Sequence, residues 1–316
     1  MNMLCDLHRH FSGAISCETV SNILDVDIEI VKKRMTYSSH ENVTYDSFFE
    51  KFNIFNEITW TKELIAYTIQ DCIWGIKKEG IDYAEIKFTI DKYKNNILTN
   101  DKEIISWIAH NFEEFSSKYG INVDLILCLK HDLDKSRQLE IANLIKDDII
   151  AECICGIDVV GNEKYFEVEF YKPIFEMWNN AKKACMIHVG EIYNPKNVYD
   201  AINNLKIDRI CHGIAVCDDK ELAKKTSDKL ISFDICPTSN LFTGVAKIKD
   251  HPVSKMLNNG FLITIGTDDP VIFNTTIQKE YNLIKQICKL SDEDINLLKE
   301  IVFSFSADSI IRRKSQ

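Results

Sequence analysis

Short apolar runs recur along the chain and alternate with longer amphipathic stretches. Runs that are apolar on both faces are typical of parallel strands covered by helices. Eight such units predict a (β/α)₈ barrel, and the alternative for the same pattern is an open doubly wound sheet. The predicted strands span 3–8, 83–88, 123–129, 154–160, 185–188, 209–211, 230–235 and 262–266.

Apolar residues at helical spacing mark the stretches between the strands. Ile65, Ile69 and Ile73 share one face of the first long stretch. Gly80 and Gly120 follow two stretches directly, where a glycine typically ends a helix. The predicted helices that lie between these strands span 62–78, 101–119, 170–183, 196–204, 219–225 and 252–259.

Residues 17–60 do not fit the alternation and form a long excursion after the first strand. Helices are predicted at 18–24 and 28–33, followed by an aromatic stripe. The stripe is either a helix face packed on the barrel or a lid over its mouth, because loops at strand ends build the sites of such barrels. We therefore expect one barrel domain over 1–316 with this segment as its lid. The stripe consists of Phe48, Phe49, Phe52 and Phe55.

Charge and composition narrow the range of partners. The 316 residues include 38 Lys and Arg against 48 Asp and Glu, a net charge of −10. A phosphate backbone is repelled by that balance, so polymeric nucleic acid is not an expected partner. No apolar run reaches the ~18 residues that a membrane helix needs, so no membrane partner is expected.

The chain has eleven cysteines, an odd number, without a C-x-x-C motif. Free thiols in a reducing cytoplasm fit this usage best. Cys211 adjoins His212, but neighbouring residues of a strand point to opposite faces. We therefore predict that Cys211 is a core residue and not a nucleophile.

Histidines and carboxylates fall where predicted strands stop, on four different strands. In a parallel barrel those ends meet at one mouth. Side chains two apart on a strand face the same side, so both histidines of the first H-x-H point into one site. The set comprises His8, His10, His188, Glu191, His212, Asp268 and Asp269.

A metal site is the chemistry that fits this set. A catalytic zinc takes nitrogen and carboxylate ligands and keeps a position for water, whose pKa falls from about 15.7 toward about 7. Glu191 and His212 remain beside the metal as acid/base groups. The predicted ligands of one zinc ion are His8, His10, His188 and Asp268.

A second metal is not expected. A bridged two-metal site would need a lysine near the end of the fourth strand, and the nearest, Lys164, lies past it. The chain also contains no G-x-S-x-G, P-loop or G-x-G-x-x-G motif. The other histidines, which we expect to be surface or loop residues, are His40, His110, His131 and His251.

With these residues placed, the chain resembles the adenosine deaminase family of the amidohydrolase superfamily. The resemblance extends over nearly the whole chain. The motifs that carry it are L-H-R-H-F-S-G-A at 7–14, G-I-D-V-V-G-N-E at 156–163, H-V-G-E at 188–191, R-I-C-H-G at 209–213, C-P-T-S-N-L-F-T-G at 236–244 and T-D-D-P at 267–270.

The resemblance implies a (β/α)₈ barrel with one zinc that hydrolytically deaminates a small 6-aminopurine. It implies that Glu191 protonates the ring nitrogen beside the attacked carbon and that His212 orients the metal hydroxide. Asp269 contacts the purine and helps hold the attacking water, and the backbone of Gly161 contacts the base. The substrate-binding residues expected on this basis are His10, Ser12, Phe48, Phe49, Phe52, Gly161 and Asp269.

Ser12 departs from the family pattern. Adenosine-specific members carry an acidic residue there, which contacts the ribose 5′-hydroxyl, whereas relatives acting on 6-alkylamino-AMP carry Asn. A serine removes repulsion toward a 5′-phosphate and can donate a hydrogen bond to it. The expected substrates are, in order, adenosine or a 5′-modified adenosine, an AMP-type nucleotide, and free adenine.

Two other functions remain open from the residues alone. One is a different amidohydrolase activity, such as opening a cyclic amide or hydrolysing a phosphoester, although the missing lysine and the spacing of His188 and Glu191 count against it. The other is a non-catalytic nucleoside-binding protein. That protein would be expected to have lost a ligand or the acid, and here all are present.

Overall fold

The barrel is built from eight parallel strands. A computed structural model describes residues 3–37, 44–95, 98–192 and 194–316. The strands pair in the order in which they occur along the chain, which confirms the predicted (β/α)₈ barrel. They are β1 (Cys5–His10), β2 (Tyr83–Phe88), β3 (Asn122–Lys130), β4 (Gly156–Val160), β5 (Ala184–Val189), β6 (Arg209–His212), β7 (Ser232–Ile235) and β8 (Ile263–Ile265).

Helices alternate with the strands and pack their apolar faces on the sheet. Gly80 and Gly120 end α4 and α5 with φ values of 72° and 67°, as predicted, because glycine has no Cβ to oppose this conformation. The α-helices are α1 (Cys17–Leu24), α2 (Ile28–Met35), α3 (Tyr45–Phe48), α4 (Lys62–Glu79), α5 (Asp101–Tyr119), α6 (Lys135–Asn143), α7 (Asp148–Cys153), α8 (Val168–Asn180), α9 (Pro195–Asn204), α10 (Lys220–Asp228), α11 (Pro237–Phe242), α12 (Pro252–Asn259), α13 (Ile277–Cys288), α14 (Asp292–Val302) and α15 (Ala307–Ser315).

None of the helices within the described ranges is both long and apolar enough to span a bilayer.

The strand boundaries agree with the prediction to within two residues, and two of the differences have local reasons. β1 continues to His10, so both histidines of H-x-H lie within the strand. β7 begins at Ser232 because Leu230, included in the predicted strand, has a φ of 57° and lies in an exposed turn. A left-handed residue cannot continue a strand.

The first and last strands meet at one short contact, which we call the seam. Asp268, just beyond β8, donates its amide to the carbonyl of His8 over 2.8 Å and accepts the amide of His10 over 2.8 Å. Gly266 lies so close to β1 that a Cβ there would be 2.5 Å from the Cβ of His8. The seam thus closes the barrel at its carboxyl-terminal mouth.

The interior of the barrel holds buried charges in pairs. Arg209 of β6 binds the carboxylates of Glu85 and Asp234 at 2.8 and 3.0 Å. Lys87 of β2 binds Asp158 of β4 at 2.5 Å. All five side chains are fully or almost fully buried, so each charge depends on its partner.

Cys211 is buried, as expected of a core residue, and burial raises the pKa of its thiol well above the ordinary value. Its predicted outward orientation was wrong. The thiol lies inside the barrel, 3.2 Å from the Lys87 Nζ. His212 also faces the interior, because its φ of 64° breaks the alternation of side chains along the strand.

The excursion after β1 contains α1, α2, α3 and a 3₁₀ segment, Phe49–Glu57. Its predicted helices at 18–24 and 28–33 are confirmed with small extensions. Ile54 and Phe55 are buried in the main core, so part of the aromatic stripe packs on the barrel. Phe48 stacks on Phe273 with ring centroids 5.3 Å apart.

Candidate active site

Four side chains meet at the mouth of the barrel, beside the seam. The Nε2 atoms of His8 and His10 lie 3.3 Å apart, and His188 Nε2 lies 3.1 Å from the first and 3.3 Å from the second. Asp268 Oδ1 lies 3.6 Å from His8 Nε2 and 3.4 Å from His10 Nε2. The structure therefore brings together all four predicted ligands, which come from β1, β5 and the turn after β8.

The spacing of the three imidazole nitrogens suits ligands of one metal ion. Ligands at about 2.0–2.1 Å from a tetrahedral zinc lie about 3.3 Å from one another. Burial, reinforced by nearby cations, lowers the pKa of His8 and of His10 well below the ordinary value. Neutral imidazoles are the form that binds metal, so the donor set fits such an ion.

Asp158 orients one of the imidazoles. Its Oδ1 accepts a hydrogen bond of 3.1 Å from His188 Nδ1, which leaves Nε2 facing the other donors. Although burial opposes its charge, His188 and Lys87 hold the pKa of Asp158 below the ordinary value. Sequence reasoning quoted the motif that contains Asp158 but missed its role. The available signal was an aspartate in the middle of a short strand whose other residues are apolar or glycine.

Two of the site residues have backbone conformations that are strained for residues with a Cβ. Asp268 and His212 have φ values of 61° and 64°, which are uncommon for residues with a Cβ. Such conformations persist only where surrounding contacts determine them. The seam fixes Asp268, and the amide nitrogen of Asn240 lies 3.3 Å from His212 Nδ1.

The predicted acid/base residues share this space. His212 Nε2 lies 3.8 Å from Glu191 Oε1 and 3.9 Å from Asp268 Oδ2. Burial, with the carboxylates of Asp268 and Glu163, raises the pKa of Glu191 well above the ordinary value. Burial and Asp268 likewise raise the pKa of Asp269. Glu191 thus retains a proton at a higher pH than an exposed glutamate does.

Glu163 holds the turn that carries Glu191. Its carboxylate accepts hydrogen bonds of 2.7 Å from the amides of Gly190 and Ile192, on either side of Glu191, and one of 3.0 Å from Asn197 Nδ2. Sequence reasoning did not identify this buried carboxylate, because its partners lie about thirty residues away in the chain.

A cavity of about 660 Å³ opens above these residues. Tyr45, which the sequence analysis did not single out, donates a hydrogen bond of 3.1 Å to the carbonyl of Gly161. Lys92, also missed, lies in the same wall. The cavity is lined by all of the predicted substrate-binding residues, namely His10, Ser12, Phe48, Phe49, Phe52, Gly161 and Asp269.

The remaining histidines only partly match the prediction. His110 is exposed on α5 as expected. His131 lies in a turn, within the prediction of a surface or loop residue, but it is buried. It follows β3 directly, is 4% exposed, and lies 3.1 Å from the Tyr171 hydroxyl and 3.3 Å from the carbonyl of His188. His251 lies in a loop but is buried, because its Nδ1 caps α12 by accepting the amide of Val253. His40 lies outside the described residues.

Three imidazoles and a carboxylate lie close together at the mouth of a parallel eight-stranded barrel, beside a second buried carboxyl group. This combination of fold and site defines the class of metal-dependent hydrolases built on the (β/α)₈ barrel.

Comparison with known proteins narrows this class. The profile of the family described as adenosine deaminase matches residues 4–308. Adenosine deaminase of Clostridium acetobutylicum is 29% identical over 300 residues, covering 92% of this chain and 88% of that protein. The chain therefore belongs to the adenosine deaminase family, whose members are hydrolytic deaminases.

Solved structures share the fold at lower identity. Adenine deaminase of Arthrobacter aurescens superposes with a TM-score of 0.83 at 17% identity, over 100% of this chain and 98% of that one. The N6-methyl-AMP deaminase of Arabidopsis thaliana superposes with a TM-score of 0.81 at 19% identity, over 99% and 95%.

Proposed function

We propose that this protein hydrolytically deaminates a 6-aminopurine nucleoside, adenosine or a close derivative, to the 6-oxopurine and ammonia, using one zinc ion. The observation that carries the proposal is the donor cluster at the mouth, where the three histidine Nε2 atoms lie 3.1–3.3 Å apart and Asp268 Oδ1 lies 3.4–3.6 Å from two of them, with Glu191 lining the same cavity. Membership of a family of hydrolytic deaminases supports deamination at this site.

The proposed ligands are His8, His10, His188 and Asp268. When bound, zinc lowers the pKa of a coordinated water toward about 7 and so makes hydroxide available at neutral pH. Asp158 keeps His188 in the tautomer and orientation that ligation needs.

Glu191 acts as the proton donor in this proposal. Its raised pKa keeps the carboxyl group protonated, so it can give that proton to the ring nitrogen next to carbon 6. Protonation of this nitrogen makes carbon 6 more electrophilic. Water then adds to carbon 6; one of its protons passes to the amino group and the other restores the carboxyl group of Glu191. The bond from carbon 6 to the amino nitrogen breaks, so that ammonia leaves and the 6-oxopurine remains.

The other residues position the reactants. His212 stabilises the attacking oxygen, since its Nε2 lies within 4 Å of both Glu191 and Asp268. Asp269 accepts a hydrogen bond from the attacking water and contacts the purine, and the backbone of Gly161 contacts the base. We also propose that residues 17–60 act as a lid, supported by the position of Phe48, Phe49 and Phe52 in the cavity wall.

The buried free thiols support a cytoplasmic location for this enzyme, because such thiols are typical of reducing compartments.

Replacement of the acid tests the function. Glu191→Gln should bind zinc normally but lose roughly 10²–10⁴-fold in turnover, measured as ammonia released from adenosine and AMP. Glu169→Gln, an exposed glutamate on α8, is the matched control and should keep the wild-type rate. A Glu191→Gln enzyme with near-normal turnover would rule out the role of Glu191. Zinc-loaded wild type that releases no ammonia from any 6-aminopurine would rule out the function.

A further inference from the structure

We propose that Lys92 and Ser12 form a subsite for a phosphate carried by the ribose of the substrate, so that the enzyme prefers a nucleoside monophosphate to the free nucleoside. The inference deepens the proposed function and rests on it. It reverses the order of substrates expected from the sequence, in which adenosine came first.

Lys92 is a cation without a countercharge inside the cavity wall. It lies on the 3₁₀ turn Asp91–Tyr93 after β2, and its Nζ faces the rings of Tyr93, Phe11 and Phe55 at 4.7, 5.3 and 5.5 Å from their centroids. Among the residues that the structure describes, no carboxylate lies within 4 Å of this Nζ. A cation in such surroundings is unfavourable unless a ligand supplies the missing charge.

Two acidic residues near Lys92 are paired with other cations. Asp91 binds Arg137 at 2.8 Å, and Asp101 binds both Arg137 and Lys94. Lys94, two residues from Lys92, thus has a carboxylate partner, whereas Lys92 donates to the hydroxyl of Ser12. Within the described part of the chain, Lys92 is therefore left without a carboxylate at ion-pair distance.

Ser12 supplies the second half of the subsite. It follows β1 on the turn Ser12–Ala14, two residues after His10, and it lines the same cavity. Gly13 holds this turn tightly against the site, since a Cβ there would be 1.9 Å from Asp269 Oδ1. A fixed hydroxyl beside an ammonium matches the acceptor oxygens of a phosphomonoester.

The position of Lys92 and Ser12 in the cavity agrees with recognition of a phosphate on the ribose of the substrate. One cavity holds the four donor atoms, Glu191 and the Lys92–Ser12 pair. With carbon 6 of the purine at the donor cluster, the sugar extends along the cavity wall. Burial lowers the pKa of Lys92 to about 7, against the opposite effect of Asp269, and a bound phosphate dianion restores the full charge.

Kinetics with matched substrates test the subsite. Wild type, Lys92→Met and the exposed-lysine control Lys94→Met are compared on 5′-AMP, 3′-AMP, 6-methylamino-AMP and adenosine. We expect wild type to favour a monophosphate by at least tenfold in kcat/KM. Lys92→Met should lose roughly 100-fold on that monophosphate, mainly in KM, and change little on adenosine. Lys94→Met should behave as wild type.

Two further variants keep the test decisive if Lys92→Met folds poorly. Lys92→Arg retains the charge and should retain the preference for the monophosphate. Ser12→Asp places a carboxylate at the subsite and should shift the preference toward adenosine. Equal losses on adenosine and the monophosphates in Lys92→Met, or a wild type that favours adenosine, would overturn the inference.

A binding measurement separates failure of the subsite from failure of the function. Calorimetric titration with IMP and inosine reports affinity without turnover. Tighter binding of IMP that depends on Lys92, in a protein that deaminates nothing, would support the subsite and contradict the proposed function. Deamination by a protein that binds IMP and inosine with equal affinity would support the proposed function and contradict the subsite.

Discussion

The carboxylate of Asp158 serves two neighbours at once. It accepts from His188 Nδ1 and also compensates the charge of Lys87, and all three side chains are buried. Neither contact is visible in the sequence, because the three residues lie on different strands.

Asp158→Asn should therefore weaken zinc binding about 10–100-fold, since the carboxylate that orients His188 is lost. It should also destabilise the fold by roughly 3–5 kcal/mol, because Lys87 is left without its counterion. Competition with a chelator and urea unfolding measure the two effects. Asp228→Asn, at an exposed position of α10, is the control. Unchanged metal affinity in Asp158→Asn would show that His188 does not need this partner.

The lowered pKa of Lys92 makes the free energy of unfolding depend on pH. Burial lowers its pKa from 10.5 to about 7, and Asp269 and Cys72 only partly oppose this. Between those values the unfolded chain binds a proton that the folded chain does not, so raising the pH favours the folded state. We therefore compare the free energies of unfolding of wild type and Lys92→Met. The value for wild type minus the value for the variant should increase from pH 6.5 to 9.5, by at most about 1.4 kcal/mol per pH unit. The same difference for Lys94→Met should stay flat, and a flat curve for both variants would contradict the shift.

At the scale of elements, the turn after β1 sets how closely the chain approaches the site. Gly13→Ala should lower kcat/KM at least 100-fold, because the new Cβ collides with Asp269 and displaces it. Gly75→Ala is a matched glycine replacement in α4, where an added Cβ meets nothing within 4 Å. That variant should keep its activity and gain about 1 kcal/mol in unfolding free energy. Wild-type activity in Gly13→Ala would show that the turn has room to move.

The elements also show how far sequence reasoning extends. The strands were predictable because buried parallel strands are apolar on both faces, and Gly80 and Gly120 marked helix ends by their conformation. The helices that were not assigned are α3, α6, α7, α11, α13, α14 and α15. In α14, for example, the buried residues are Ile295 and Val302, so most of the helix lies at the surface. The ligands were predictable from strand ends, whereas Glu163, Lys87 and Lys92 act through contacts between distant segments.

At the scale of the whole molecule, metal binding should stabilise a barrel that is already folded. The large apolar core between strands and helices does not involve the ligands, whereas the ligands join β1, β5 and β8. Removal of zinc with a chelator should lower the Tm by several degrees while the far-ultraviolet circular dichroism stays unchanged, because a ligand bound only to the native state adds to its stability. Restored Tm on adding zinc is the control. An unchanged Tm, or loss of the helical signal, would contradict this expectation.

The seam has a consequence for how the protein is made. His8 and His10 lie in the first strand and are synthesised before Asp268, which follows all eight strands. Because the same aspartate joins the last strand to the first and completes the donor cluster, a partly synthesised chain cannot hold the ion in its finished geometry. Closure of the ring and assembly of the proposed metal site are therefore one event, and we expect a nascent chain to be inactive until that event.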